Sequence, residues 1–343
     1  MSHRVTVQPS GNVFEVPEGD TILAAALNEG FHLPYGCRNG ACGSCKGKIV
    51  ADEIDYGKYQ HSTLSDDERA AEYALFCQAR PLTDLTIESR EIGAVKDIVV
   101  KKLPCRVHKL ERVADDVAIL WLKLPANERL QFLAGQYIEF ILKDGSRRSF
   151  SMANAPHDDE FLQLHVRHVP GGAFTDHVFK TMKERDILRF EGPLGSFFLH
   201  ESEKPIVFVA SGTGFAPIKA IIESAFKHEV GRPMTLYWGA RRPKDLYLDA
   251  LARHWAAEYP ALFEYVPVIS DALPEDQWTG RTGFVHRAVM ADFPDLSGVQ
   301  VYACGVPIMV DSARRDFTHE CELPIDEFFA DSFTTQADLA QGG

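Results

Sequence analysis

Four cysteines limit what this chain can fold into more tightly than any other feature. Three form the string Cys37-Arg-Asn-Gly-Ala-Cys42-Gly-Ser-Cys45, and the fourth, Cys77, stands well downstream. A C-x4-C-x2-C loop with one distant cysteine is the ligand spacing of a plant-type [2Fe-2S] cluster. The residues between the thiols suit that task. A cluster carrying net negative charge is stabilised by backbone N–H groups aimed at its sulfurs, so the loop must curl tightly around it. Gly36, Gly40, Ala41, Gly43 and Ser44 permit the curl without side-chain clashes. Two blander readings compete, a structural zinc site and four free thiols. Zinc sites usually bring their cysteines as two closely spaced couples along the chain, whereas here one ligand stands alone. No histidine lies inside the loop, which weighs against a Rieske centre. The spacing predicts an iron–sulfur centre held by Cys37, Cys42, Cys45 and Cys77.

The remaining cysteines, Cys105, Cys304 and Cys321, are scattered, and the total of seven is odd. That pattern fits a metal site in a reducing cytoplasm better than a disulfide framework. At 343 residues the chain is too long for one ordinary core, so two or three domains are expected. Hydrophobic residues at 45% and charged residues at 25% describe a folded, soluble protein. The formal charge of -13 argues against nucleic acid or an anionic membrane surface as a partner. No apolar run reaches the ~18–20 residues of a spanning helix, and the opening MSHRVTVQPSGN lacks the apolar stretch of a signal peptide. A cytoplasmic location is expected, with no membrane insertion, as a monomer or in transient complexes.

Three compositional blocks follow one another. Residues 1–92 alternate β-rich runs (Arg4–Gln8, Val13–Val16, Lys46–Ala51, Leu85–Ser89) with one helix, Ile22–Glu29, and the cysteine loop. A polar stretch at 93–102 reads as a linker. Residues 103–200 carry strand-like runs (Cys105–Arg112, Val117–Lys123, Tyr137–Leu142, Leu162–His168) parted by Gly, Pro and Asp turns, the spacing of a small antiparallel barrel. From 201 to 336 strands alternate with helices: Ile206–Ala210, a helix over Ala216–His228, Thr235–Trp238, a helix over Leu246–Tyr259, and Gln300–Cys304. That rhythm predicts a parallel α/β sheet. The last residues, 337–343, read as a loose tail.

In the second block Arg147-Arg148-Ser149-Phe150-Ser151 follows Gly135-Gln136-Tyr137-Ile138. Alone, R-x-F-S is weak: Arg148 reads as a surface charge and Phe150 as a core aromatic. Order strengthens it. Gly171-Gly172-Ala173-Phe174-Thr175 comes next, with backbone amides and a hydroxyl suited to a pyrophosphate at a helix start. Gly192-Pro193-Leu194-Gly195 then reads as a tight turn ending the barrel. In the third block Val207–Ala210 runs into Ser211-Gly212-Thr213-Gly214-Phe215-Ala216-Pro217, a strand, glycine turn and helix that set a helix N-terminus against an anion. Pro217 stands where G-x-G-x-x-G has its third glycine, and a missing N–H is harmless in a first helical turn. Cys304-Gly305-Val306-Pro307-Ile308-Met309 closes a later strand; a buried structural cysteine is the commoner fate of such a residue.

Taken in order, the blocks resemble the ferredoxin–NADP reductase superfamily, and over essentially the whole chain the reductases of multicomponent oxygenases and of sugar-nucleotide dehydrases. Leu133–Ile138, Arg147–Pro156, Leu164-His165-Val166-Arg167, Gly212–Pro217, Tyr237-Trp238-Gly239 and Gly283–His286 carry the likeness. It implies a β-grasp [2Fe-2S] ferredoxin domain, an antiparallel β-barrel FAD-binding domain and a Rossmann-like α/β NAD(P)-binding domain. The implied flavin residues are Arg148 on the pyrophosphate, Phe150 against the isoalloxazine in place of the family's tyrosine, and Ser151 near N5. Thr175 and the amides of Gly172 and Ala173 would take phosphates, with Ser149, His165 and Gly171 beside them. Gly212, Thr213, Gly214, Gly239, Arg241, Gly305, Pro307 and Met309 would line the nicotinamide nucleotide, with Cys304 at its C4. Phe333, in Phe328-Phe329-Ala330-Asp331-Ser332-Phe333, would shield the flavin. Arg241, Arg242 and Lys244 suit a 2′-phosphate, yet Asp245 suits a free ribose, so NADH is expected with NADPH open. The resemblance implies electrons moving one at a time to an acceptor protein, a pyridoxamine-phosphate-dependent sugar dehydrase or an oxygenase component. FAD would convert hydride into single electrons, and a cluster near ~-400 mV would forward them. A free flavin or quinone reductase remains a third reading.

Overall fold

The computed structural model describes residues 2–93 and 98–334. Part of the expected linker, 94–97, and the expected tail, 337–343, lie outside the described residues. The chain divides into two compact units, one of 1–98 with 330–343 and one of 99–329.

In the first unit, β1 (Ser2–Gln8) and β2 (Val13–Pro17) form an antiparallel pair whose alternation turns Val5, Val7, Phe14 and Val16 inward. Helix α1 (Ile22–Asn28) starts where Thr21 accepts a hydrogen bond from the Ala24 amide, and it buries Ile22, Leu23, Ala25 and Ala26. After the cysteine loop come β3 (Lys46–Ala51), β4 (Ile54–Asp55), α2 (Asp66–Ala70), β5 (Tyr73–Leu75), β6 (Arg80–Pro81) and β7 (Leu85–Glu88). The sheet runs β2-β1-β7-β3-β5, with β1 and β7 parallel. A mixed sheet packed on one helix is the expected β-grasp form. Helix α2 was not foreseen, although its start is written in the sequence: Ser65 and Glu68 form a reciprocal capping box.

The second unit opens with a barrel: β8 (Lys101–Ala114), β9 (Val117–Lys123), β10 (Tyr137–Ile141), β11 (Arg147–Ser151), β12 (Leu162–Arg167), α3 (Ala173–Lys180) and β13 (Ile187–Leu194). Six antiparallel strands run β11-β10-β13-β8-β9-β12, and Met152 bridges Leu164 to close the ends. Two expectations need correction. Lys101 and Lys102, read as linker, already belong to β8, where they pair with Gly192 and Glu191. Gly192-Pro193-Leu194 is the end of β13 and not a tight turn. The register shifts between Tyr137 and Glu139 of the neighbouring β10, and that irregularity absorbs a proline with no N–H to give.

The nucleotide half follows: β14 (Ile206–Ser211), α4 (Phe215–Lys227), β15 (Met234–Ala240), α5 (Asp249–Glu258), β16 (Phe263–Ile269), β17 (Arg281–Thr282), α6 (Val285–Asp292), β18 (Gln300–Gly305), α7 (Pro307–Glu320) and β19 (Phe328–Ser332). The sheet order is β17-β16-β15-β14-β18-β19, parallel from β17 through β18. The strand order reverses at β14, where crossovers leave on both sides. Ligands of such sheets bind at the carboxyl ends of the strands beside that reversal.

Candidate active site

The loop from Gly36 to Cys45 folds so that the four cysteines come together as two couples. The thiols of Cys37 and Cys42 lie within hydrogen-bond reach of each other, and so do those of Cys45 and Cys77. Backbone amides converge on them: Cys37 N–H on Cys42 Sγ at 3.3 Å, and Asn39 and Ala41 N–H on Cys37 Sγ at 3.5 and 3.4 Å. The Cys37 thiol, together with the Ser44 hydroxyl and amide, pulls Cys42 down to about 5 against the burial that raises it. Gly40 adopts φ 78°, and a Cβ there would lie 2.8 Å from the Lys58 carbonyl. Only glycine closes the curl at that point. Arg38 also takes a positive φ, 59°, a cost that a non-glycine residue accepts where the surrounding loop demands it.

This cradle fits a [2Fe-2S] cluster. Donors surround sulfurs that must carry negative charge, and two couples match two irons. A single tetrahedral ion takes all four ligands on one point, whereas here the thiols stand as two couples. The C-terminal stretch belonging to this unit packs on the same loop. Ser44 donates to the Ala330 carbonyl at 2.6 Å, and Asn39 Nδ2 to Thr334 Oγ1 at 3.0 Å. Phe333, expected beside the flavin, is carried on this stretch.

On the barrel, Arg147 is paired with Glu139 and Glu191 at 3.0 and 2.7 Å, and Ser149 donates to Glu139 at 3.2 Å. Arg148 differs. Its guanidinium donates only to the Arg147 carbonyl, at 2.7 Å, and forms no ion pair among the described residues. The Phe150 ring lies 5.0 Å from Phe174 and 5.9 Å from Phe140, and Ser151 is buried at the strand end. Gly172 starts α3 with no side-chain cap, so the first-turn amides, Ala173 among them, have no side-chain acceptor at the helix start. Thr175 instead donates to the Val169 carbonyl at 2.9 Å and steadies its own loop below Gly171. An unpaired guanidinium and an uncapped helix start fit a pyrophosphate.

In the nucleotide half, Ser211 of β14 stands in register with Gly239, and Ala210 with Cys304. The turn Gly212–Gly214 therefore shares one edge with the ends of β15 and β18. Trp238 Nε1 donates to the Gly212 carbonyl at 3.1 Å, while Phe215 stacks on Trp238 at 3.9 Å. Ser211 Oγ accepts from the Val306 amide at 3.2 Å, which ties the chain just after Gly305, the last residue of β18, to the start of the turn. A Cβ on Gly214 would sit 2.1 Å from the Cys304 carbonyl oxygen. Neither α4 nor α7 has a side-chain cap, and Pro307 opens α7; the Met309 and Val310 amides already donate to the Val306 carbonyl at 3.0 and 3.2 Å, leaving Thr213, Gly214 and the Ile308 amide to meet an anion. Cys304 is fully buried and Met309 nearly so, and Arg241 lies exposed past the end of β15.

Two contributors were missed. Lys219, buried on the inner side of α4, donates to the Ala153 carbonyl at 3.0 Å and pairs with Glu223 at 2.8 Å, tying the barrel to the nucleotide half. Its signal was a lysine among Phe215, Ile218 and Ile222 on an otherwise apolar face. Tyr247 had no signal. Leu164 and Val166 face the barrel core, so His165 points the other way and its Nδ1 meets Tyr247 Oη at 2.9 Å. Burial, aided by the Lys219 ammonium, pushes His165 well below its ordinary pKa, so the ring is neutral. Its Nε2 is buried without a partner. Tyr247→Phe removes the remaining bond and leaves the whole imidazole unsatisfied. The expected loss is ~1–3 kcal/mol of stability by urea unfolding followed through tryptophan fluorescence. An unchanged midpoint would mean that the pair contributes nothing.

The chain matches three described families in sequence: "2Fe-2S iron-sulfur cluster binding domain" over 5–82, "Oxidoreductase FAD-binding domain" over 104–199 and "Oxidoreductase NAD-binding domain" over 208–315. It is 40% identical over 333 residues to the CDP-6-deoxy-L-threo-D-glycero-4-hexulose-3-dehydrase reductase of Yersinia pseudotuberculosis, covering 97% of this chain and 99% of the relative. It is 36% identical to reductase component 2 of the terephthalate 1,2-dioxygenase of a Comamonas species, covering 98% of each. Among solved structures, the cytochrome P450 reductase GcoB of Amycolatopsis superposes with a TM-score of 0.75 at 34% identity, covering 97% of this chain and 99% of that one. With the cluster-binding, FAD-binding and NAD-binding families matched in that order and near full-length likeness to named reductases, the chain belongs to the iron–sulfur flavoprotein reductases of the ferredoxin–NADP reductase superfamily.

Proposed function

We propose that this NAD(P)H-dependent electron-transfer reductase delivers its electrons to a sugar-nucleotide dehydrase, with Cys37, Cys42, Cys45 and Cys77 as the cluster ligands. The paired thiols under converging amides support the ligand assignment. FAD, when bound, supplies the conversion of a hydride into single electrons. The chain's own groups hold and orient. Arg148 and the α3 N-terminus take the flavin pyrophosphate, Phe150 and Ser151 flank the ring, and the turn at Gly212–Gly214 receives the nicotinamide nucleotide beside Cys304. Arg148→Ala is expected to weaken FAD retention by ~1.5–3 kcal/mol, read by equilibrium dialysis against FAD. Normal occupancy at low FAD would remove Arg148 from the site.

The dehydrase reading rests on the 40% identity, over nearly the full length of both chains, to a relative named for reducing such an enzyme. An oxygenase component is the second reading, favoured by the terephthalate dioxygenase reductase and the P450 reductase. Stopped-flow reoxidation of the NADH-reduced protein separates them. Fast reoxidation by a CDP-hexulose dehydrase loaded with pyridoxamine phosphate and substrate, and none by a terephthalate-type oxygenase, is the expected result. The reverse pattern would replace the first reading with the second.

A further inference from the structure

The end of β15 carries three cations, Arg241, Arg242 and Lys244, beside the nucleotide turn, and the fold decides which of them a ligand can reach. Ser211 and Gly239 are in register, so Ala240–Arg242 leave the sheet next to Gly212–Gly214. In sheets of this kind the second strand's end is where the adenosine ribose is read, by an acid on a free 2′-hydroxyl or by an arginine on a 2′-phosphate. The segment after β16 is laced onto this end. Ser270 N–H donates to the Ala240 carbonyl at 2.9 Å and Asp271 N–H to the Arg241 carbonyl at 3.0 Å. The lacing brings Asp276 to Arg242, where Nε and Nη2 donate to its two carboxylate oxygens at 2.6 and 2.8 Å. Glu275 adds a contact at 3.5 Å. Asp276 is itself fixed by the Leu273 amide at 2.9 Å, and Asp245 accepts from the Arg242 amide at 3.1 Å.

The pairing of Arg242 is a bidentate fork, the geometry a phosphate would need for itself. Lys244 is paired as well, with Asp115 at 2.7 Å, but both partners are largely exposed and that bond yields easily to solvent. Arg241 is exposed without an ion pair among the described residues.

We infer that Asp276 sets a preference for NADH over NADPH by holding the Arg242 guanidinium away from a 2′-phosphate. Asp276 acts through Arg242 and is a positioning residue. The inference deepens the nicotinamide reading of the Gly212–Gly214 turn and rests on it. A bound 2′-phosphate must displace a carboxylate from the fork, while Asp245 and Asp271 keep the surroundings anionic. A 2′-hydroxyl displaces nothing.

The test uses the full-length flavoprotein and the ratio of NADP+ to NAD+ affinity measured by isothermal calorimetry, with adenosine 2′,5′-bisphosphate against ADP as a second probe pair. The parent should prefer the unphosphorylated member of each pair. Asp276→Asn with Glu275→Gln should raise the ratio by ~10-fold or more, the usual weight of one charge-assisted contact. Adding Arg242→Gln should cancel the gain. Arg242→Gln alone frees the Asp276 carboxylate and should lower the ratio or leave it unchanged, never raise it, and this arm serves even if the double variant folds poorly. A parent preferring the 2′-phosphate, a ratio unmoved in the double variant, or a gain that survives loss of Arg242 would each overturn the inference. Failure of the parent to bind either dinucleotide would instead strike the nicotinamide reading beneath it.

Discussion

Cys77→Ser is expected to abolish the electron paramagnetic resonance signal of the reduced cluster while flavin bleaching by NADH persists. Cys77 stands in one couple with Cys45, so its loss leaves that half of the cradle with a single thiolate. A serine hydroxyl is a harder and less acidic ligand than a thiolate and does not restore the pair. The FAD-binding and NAD-binding family matches, 104–199 and 208–315, fall in the other unit, 99–329, whose barrel has its own core. The two readouts should therefore part. The parent protein should carry about two irons and two labile sulfides for each cluster, as this centre requires. Zinc in place of iron after anaerobic preparation would overturn the cluster assignment. Loss of both readouts in a still-folded variant would show that flavin reduction depends on the cluster.

What the sequence disclosed depended on whether a feature was local. The thiol spacing, the glycine turn after β14 and the strand–helix rhythm are local, and each lies where it was expected. Strand and helix ends moved by one to a few residues, as at β8, where pairing with β13 extends the strand to Lys101. Pro193 misled because a proline after glycine usually marks a turn, and only the neighbouring strand reveals the bulge that accommodates it. Tyr247, Asp276 and the contact of Ser44 with Ala330 are tertiary. Ser44 and Ala330 are far apart in the chain, and no periodicity or spacing links them. Asp276 acquires meaning only once the loop after β16 is laced to the end of β15. The three-block order was legible from motifs. The couples among the thiols, and which cations are already paired, were not.

Gly214→Ala is expected to slow flavin reduction by NADH by ~100-fold, the usual result of a misplacement of ~1 Å at a reacting centre. The added methyl would begin 2.1 Å from the Cys304 carbonyl oxygen and 2.4 Å from its carbon. Both are backbone atoms of a buried strand, so no rotamer change relieves the clash. Either the turn lifts from β18 or the end of β18 is pushed aside. Each movement separates groups that the structure keeps together: the Ser211 hydroxyl that accepts from Val306, the uncapped α7 start, and Cys304 itself. Stopped-flow absorbance of the flavin reads the rate, and two controls locate the damage. FAD content should stay normal, because the barrel keeps its own core, and the cluster signal should persist after chemical reduction. A general loss of stability would lower flavin content along with the rate. A rate equal to that of the parent would mean that the turn yields freely and that its close packing on Cys304 does not position the nicotinamide.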